Sequence, residues 1–280
     1  MRILVTGGAG YIGSVLVPAL IADGHEVSVM DIESPVSGAW LKRDIFARPV
    51  GAAEIGDVDA VIHLAALVGD QVCHERPERA VEVNFLATKS LARACHEAGV
   101  KLIFASTCSV YGVKQGLSNE ETEPEPYSVY GLTKLKAEED VLRASGVVFR
   151  LGTVYGISPR MSYILVINEF VKAAKTEGII TVFGGAQMRP FLEIRSAVAA
   201  FRSCLRSKIS GEIINIADEN ISLSNLGMLV AETFSCKIKT IPEIVDRRSY
   251  MADNSKAVRL LGFKPKALKD GIREMKSLTV

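Results

Sequence analysis

Tyr130 and Lys134 frame the segment Tyr130-Gly131-Leu132-Thr133-Lys134, and this spacing puts both side chains on one face of a helix, a turn apart. A phenol beside an ammonium suits removal of a proton from a hydroxyl while hydride leaves the adjoining carbon. Tyrosine alone, with a pKa near ~10, is too little ionised at neutral pH to act as that base. Lowering the value by about three units takes roughly 4 kcal/mol of differential stabilisation. The Lys134 ammonium, joined by a second positive charge in a water-poor cleft, is expected to supply it. Thr107 ends the strand that begins at Lys101, at the edge where open α/β sheets place ligands, so its hydroxyl is positioned to share the proton.

The second charge has a source near the N-terminus. Thr6-Gly7-Gly8-Ala9-Gly10-Tyr11-Ile12-Gly13 follows a strand-like run from Arg2 to Val5 and leads directly into a helical pattern, with glycines at 7, 10 and 13. Glycine permits the tight turn, a close approach of backbone to a pyrophosphate, and close packing of helix on strand. The helix opening through Tyr11, Ile12 and Gly13 offers unpaired N–H groups and the positive end of its dipole to the anion. Asp31 ends the next strand, where its carboxylate accepts hydrogen bonds from ribose hydroxyls. A 2′-phosphate would meet Asp31 and Glu33 with no arginine among residues 31–36, so NAD rather than NADP is the expected cofactor. Its oxidised nicotinamide is the second positive charge, and Lys134 is also placed to hold the nicotinamide ribose.

These side chains require a scaffold, and its elements are legible. Arg2–Val5, Glu26–Met30, Ala60–Leu64, Lys101–Ala105 and Val147–Leu151 read as strands, alternating with helices over Tyr11–Asp23, Pro77–Ala98 and Ser128–Ala144. Such alternation predicts an α/β fold of the Rossmann type, a doubly wound parallel sheet. After Gly156 longer irregular connections are expected, although Glu212–Ile216 reads as a buried strand that rejoins the main sheet. The expected division is an NAD-binding domain over residues 1–156 and a smaller, discontinuous C-terminal substrate domain over 157–280, with the ligand in the cleft between them.

Composition narrows the partners. Lys plus Arg (33) and Asp plus Glu (32) nearly cancel, and no basic stretch could track nucleic acid or anionic lipid. No run approaches the ~18 apolar residues of a membrane span. The first 22 residues superficially resemble a signal peptide, but Gly7, Gly8 and Gly10 interrupt the apolar stretch. The cysteines Cys73, Cys95, Cys108, Cys204 and Cys236 are odd in number and lack a CxxC pair, so no metal site and a reducing cytoplasm are expected.

Taken together, the chain closely resembles the extended short-chain dehydrogenase/reductase family, the nucleotide-sugar epimerases and dehydratases typified by UDP-galactose 4-epimerase. The carriers are the Gly7–Gly13 fingerprint, Asp44-Ile45, His63-Leu64-Ala65-Ala66, Asn84, Ser106–Gly112 (STCSVYG), Tyr130–Lys134 and Arg150–Gly156 (RLGTVYG). Later carriers are Val182-Phe183-Gly184-Gly185, Arg189-Pro190-Phe191, Ser255-Lys256-Ala257 and Leu261-Gly262-Phe263. The resemblance implies adenine contacts from Asp44 and Ile45, and a cofactor lining from Leu64, Ala65, Ala66 and Asn84. It also implies catalytic roles for Thr107, Tyr130 and Lys134. Arg189 would grip the substrate diphosphate with its guanidinium fork, and Cys108, Asn168 and Arg248 are further candidates for the substrate pocket. The helices near Pro77–Ala98 and Ser128–Ala144 are those through which this family often forms homodimers.

Departures from the family pattern select among its reactions. Family dehydratases carry Asp and Glu directly after the catalytic threonine, to expel water and work at a carbon acid. Here those positions hold Cys108 and Ser109, and the decarboxylase branch likewise carries glutamate where Ser109 stands. What remains serves 4-epimerisation of a UDP- or other NDP-hexose through a 4-keto intermediate. The alternatives are a net NDP-sugar oxidoreductase or dehydratase and, from a different class, a non-catalytic NAD-binding regulator. Thr153 replaces the family's usual asparagine, Glu193 and Ser196 replace its His and Asp, and the arginine before the C-terminal segment is displaced, which bears on the sugar and the nucleotide.

Overall fold

The Val- and Ile-rich runs assemble into one seven-stranded sheet, in a computed structural model that describes residues 1–243 and 248–279. Its spatial order is Ile213–Ile216, Val147–Leu151, Lys101–Thr107, Ala60–His63, Arg2–Thr6, Glu26–Asp31 and Ala39–Lys42, every neighbouring pair parallel. Side chains alternate between the two faces of each strand, and that alternation divides the core. Ile3, Val5, Val29, Ile62, Ile103 and Phe149 pack with Leu16, Val17, Ala197 and Phe201 of helices Gly13–Ala22 and Ile194–Arg206. Leu4, Val61, Leu102, Phe104 and Val148 face the other way, against Leu91, Cys95, Ala137 and Val141 of helices Ala87–Ala98 and Val129–Arg143. Both faces are therefore apolar, as a doubly wound sheet requires.

The chain order determines where a ligand can sit. From Arg2–Thr6 it passes outward through Glu26–Asp31 and Ala39–Lys42, then returns to lay Ala60–His63 against the opposite side of the first strand. This reversal opens a crevice beyond the carboxyl ends of the strands.

Several elements differ from the sequence-based expectation. Ala39–Lys42 is an edge strand whose four residues are all exposed, so it carries no buried alternation to read. The helix expected over Pro77–Ala98 consists of Pro77–Ala80, a π-helical turn at Val81–Leu86, and Ala87–Ala98; the wider turn sits at completely buried Asn84. The stretch after Gly156 is more regular than expected. It contains helices Val166–Thr176, Ile194–Arg206 and Leu223–Phe234, while Met188–Glu193 pairs with Thr153–Tyr155 and Glu219–Ser222. Strands this short and partly exposed leave little periodicity. A separate core of Phe170, Val171, Ile180, Phe191, Leu226 and Ile272 fills this region. No helix among the described residues is long and apolar enough to cross a membrane, and no cluster of His, Cys, Asp or Glu among them could hold a metal ion.

A buried ion pair ties strand Val147–Leu151 to helix Val129–Arg143. Arg150 Nη2 donates to Glu138 Oε2 at 2.8 Å, both side chains being almost wholly buried. Ser106 Oγ donates to Glu138 Oε1 at 2.5 Å, and Arg150 Nη1 donates to the Tyr111 hydroxyl at 3.1 Å. Arg150→Met takes the guanidinium away from the buried Glu138 carboxylate, and is expected to cost about 3–5 kcal/mol of stability in a denaturant melt.

Candidate active site

The glycine turn lies at the reversal of strand order. Gly7 has φ +72°, and a Cβ there would stand 2.4 Å from the backbone nitrogen of Ala65, in the loop after the neighbouring strand. A Cβ on Gly13 would stand 2.5 Å from Gly8 Cα. The turn is thus folded tightly on itself and on Leu64–Ala66. Helix Gly13–Ala22 begins beyond Ile12 with no capping side chain and no acidic residue in its first turn, leaving its dipole for an outside anion. Asp31 Oδ2 accepts the Ala9 N–H at 2.9 Å and Oδ1 accepts the Glu33 N–H at 3.0 Å. Each carboxylate oxygen keeps acceptor capacity for a ribose hydroxyl. These residues fit a dinucleotide. Gly7→Ala is expected to destabilise the fold by more than about 1 kcal/mol and to abolish detectable NAD binding in a fluorescence titration.

Other residues expected at the cofactor have partners within the protein. Asp44 pairs with Arg79 and accepts the Phe46 N–H at 2.9 Å, while Ile45 is buried in the same core cluster as Leu4 and Val61. Asn84 Oδ1 accepts the Leu67 N–H at 2.7 Å, and its Nδ2 donates to Leu67 O at 2.9 Å and Thr133 Oγ1 at 3.4 Å. It ties the loop after Ala60–His63 to helix Val129–Arg143. Tyr11 donates to Gly156 O at 2.6 Å and accepts from Asn168 Nδ2 at 3.0 Å. Asn168 Oδ1 accepts the Gly156 N–H at 3.2 Å, so this completely buried amide joins the glycine turn to the C-terminal region.

Thr107, Tyr130 and Lys134 converge at the carboxyl end of Lys101–Thr107. Ser128 caps helix Val129–Arg143 by accepting the Gly131 N–H at 3.1 Å, which sets the helix entry and hence the aim of Tyr130. The half-buried Tyr130 phenol has the Thr107 hydroxyl as a neighbour. Burial pushes its pKa above the ordinary tyrosine value, with Cys73 and Tyr250 adding to the rise and Thr107 opposing it. Lys134 is 1% exposed, with Nζ 4.0 Å from the centroid of the Phe104 ring. Burial pulls its pKa down to about 7, against Glu138 and Cys73. His63, stacked on Phe104 and hydrogen-bonded to Thr6 and Thr88, is lowered to about 3 by burial and by Lys134. The expected lowering of the phenol by Lys134 therefore does not appear in the protein alone, because both groups are desolvated and Lys134 is only partly charged near neutrality.

Arg189 and Arg248 come together over Tyr250. The Arg189 guanidinium lies 5.2 Å from the Tyr250 ring centroid and donates to Met188 O at 3.0 Å and to Arg248 O. Arg248 forms an ion pair with Asp70, which also accepts the Ser128 hydroxyl. Cys108 is 1% exposed, donates to Arg150 O at 3.1 Å, and has its pKa raised by burial. Sequence reasoning missed Asp70, Ser128 and Tyr250; only Ser128, a serine just before a helix, carried a local signal. Two cavities, of about 350 and 320 Å³, border Glu193 and Arg195 and include none of Thr107, Tyr130 and Lys134.

Residues 3–217 match the NAD dependent epimerase/dehydratase family. The chain belongs to that family. Its fold is the Rossmann-type α/β fold and its cofactor is NAD, in agreement with the glycine turn and Asp31. The chain is 32% identical to a protein of Bacillus subtilis (strain 168) described as an uncharacterized UDP-glucose epimerase, YtcB, across 97% of this chain and 96% of the relative. It is 31% identical to the UDP-N-acetyl-alpha-D-glucosaminuronate decarboxylase of Bacillus cytotoxicus, across 78% of this chain and 75% of the relative. The crystal structure of UDP-glucuronic acid 4-epimerase from Bacillus cereus, in complex with UDP-glucuronic acid and NAD, is similar at a TM-score of 0.87 and 29% identity, covering 98% of this chain and 97% of that one.

Proposed function

We propose that this family member inverts C4 of a UDP-hexose, or of another NDP-hexose, through a 4-keto intermediate. The surroundings of Tyr130 carry the reading. The Thr107 hydroxyl is near it, its titratable neighbours are Cys73 and Tyr250, and Cys108 and Ser109 stand where dehydratases of the resembled family hold carboxylates. Tyrosine and threonine suffice to take a proton from O4 and return it. Elimination or decarboxylation calls for a further acid or base, and buried Cys108 is held protonated.

When bound, NAD accepts hydride from C4 and gives it back, and its oxidised ring adds positive charge beside Tyr130. Lys134, in its ammonium form, adds further charge and holds the nicotinamide ribose, and together these favour the phenolate. Tyr130 then takes the O4 proton with Thr107 sharing the hydrogen bond, and after the keto sugar turns over, Tyr130 returns that proton to O4 on the other face. Gly7, Gly10, Tyr11, Ile12, Gly13, Asp31 and Leu64–Ala66 hold the cofactor, with Asp44, Ile45 and Asn84 shaping its pocket. Arg189, Arg248, Cys108 and Asn168 border the substrate. Residues 1–156 with strand Ile213–Ile216 form the cofactor domain and most of 157–280 the substrate domain. The enzyme pairs as a homodimer through the Ala87–Ala98 and Val129–Arg143 helices.

Incubation of the purified, NAD-loaded protein with UDP-glucose, UDP-galactose, UDP-glucuronic acid and related NDP-hexoses, followed by chromatography, tests this reading. The expected result is a C4 epimer without added nicotinamide. Failure to convert any of them discards it, stoichiometric NADH would make the enzyme a net oxidoreductase, and a product lighter by carbon dioxide would align it with its decarboxylase relative.

A further inference from the structure

We propose that the irregular segment 156–164 straps the bound dinucleotide into its crevice, with Arg160 as the clasp that sets how fast NAD enters and leaves. The segment runs from strand Thr153–Tyr155 to helix Val166–Thr176. Its first anchor is the glycine turn. Ser158 Oγ donates to Tyr11 O at 2.8 Å, lies 2.8 Å from Ser14 Oγ, and accepts the Arg160 N–H at 3.1 Å. Completely buried Asn168 holds both limbs of the segment, its Oδ1 accepting the Gly156 N–H at 3.2 Å and its Nδ2 donating to Ser162 O at 2.9 Å. The second anchor is Arg160, whose Nη2 donates to Ser34 O at 2.9 Å, three residues beyond Asp31. At the far end, a Cβ on Gly69, in the loop after Ala60–His63, would stand 3.7 Å from Ile164 Cδ1.

Sheet order turns these anchors into a crossing. Strand Arg2–Thr6 lies between Glu26–Asp31 and Ala60–His63, so Ser34 and Gly69 stand on opposite sides of the glycine turn. A segment that reaches the loops after all three strands spans the crevice at the reversal of strand order, where a dinucleotide lies. A pyrophosphate on the Gly7–Gly13 turn and a ribose on Asp31 are then enclosed between the strand ends and the strap.

The anchors differ in how readily they yield. Ser14 and Ser158 are buried, and breaking their bonds would strand polar groups away from water. Arg160 and Ser34 are exposed, so water can take over each half of their hydrogen bond. The clasp is therefore the part that opens while the strap stays rooted through Ser158 and Asn168. Arg160 acts on the cofactor through Ser34 and the strap, as a positioning residue, and retention of NAD is the property it serves.

The test is exchange of NAD in the absence of any sugar, so its outcome is independent of which reaction the enzyme runs. Exit is followed as loss of isotopically labelled NAD from the loaded protein into an excess of unlabelled NAD. Entry is followed by the fluorescence of Trp40, the chain's one tryptophan, whose Nε1 donates to Asp31 O at 3.3 Å. Because the clasp joins two protein groups, Arg160→Ala is expected to speed entry and exit alike by about tenfold and to leave Kd within about threefold of the wild type. Arg160→Lys, which keeps a charged donor, should exchange more slowly than Arg160→Ala. An exposed position makes both variants expected to fold. Exchange by Arg160→Ala at the wild-type rate overturns the proposal. Faster exit with unchanged entry overturns it too, since that result marks a direct contact between Arg160 and the cofactor in place of a clasp.

Discussion

Tyr130→Phe should bind NAD as the wild type does and turn over about 10²–10⁴-fold more slowly, the range typical of removing a general acid–base group. The substitution keeps the ring and its packing and deletes only the oxygen that Thr107 neighbours. NAD affinity is therefore a control within the same protein. Fluorescence titration against NAD and a conversion assay, run side by side, separate loss of chemistry from loss of binding. A variant that lost both equally would give Tyr130 a cofactor-holding role instead.

Lys134→Met should abolish nearly all turnover and yet make the protein more stable. Lys134 is buried against Phe104, and its pKa falls to about 7 from an ordinary 10.5. Between those values the unfolded chain binds a proton that the folded one does not, so wild-type stability rises with pH from about 7 toward 10.5. Below pH 7 the full cost of burying the ammonium is present. Methionine removes that cost while roughly conserving volume, which should raise the thermal midpoint at neutral pH by about 2–4 °C for each kcal/mol regained and flatten the rise in stability across this window. Thermal melts at several pH values check the sign. A midpoint that falls would mean that the Lys134 ammonium is stabilised by its neighbours beyond its burial cost.

The parts of the site that follow from local chemistry were legible from residue order. The turn Gly7–Gly13 needs glycine because Ala65 and Gly8 approach it so closely, and Tyr130 and Lys134 share a face because helices repeat every 3.6 residues. The core strands were legible because burial on both faces demands continuous apolar runs, whereas the exposed edge strand Ala39–Lys42 lacks that demand. Contacts between distant segments were not legible. Tyr250 comes near Ser109, and Arg248 reaches Asp70, only because Ser249–Ala252 pairs with Val113–Ser118. Nothing near residue 250 in the chain announces that pairing. The effect of desolvation was also out of reach, since four-residue spacing cannot say that Lys134 sits almost fully buried on an aromatic ring.

Retention of the C4 hydrogen tests the central claim most directly. UDP-hexoses carrying deuterium at C4 are supplied to the NAD-loaded enzyme in ordinary water, with no free nicotinamide, and the epimer is analysed by mass spectrometry. The account predicts an epimer that keeps its deuterium at C4, formed more slowly than from the unlabelled sugar. An epimer that has exchanged its deuterium for solvent hydrogen would contradict it.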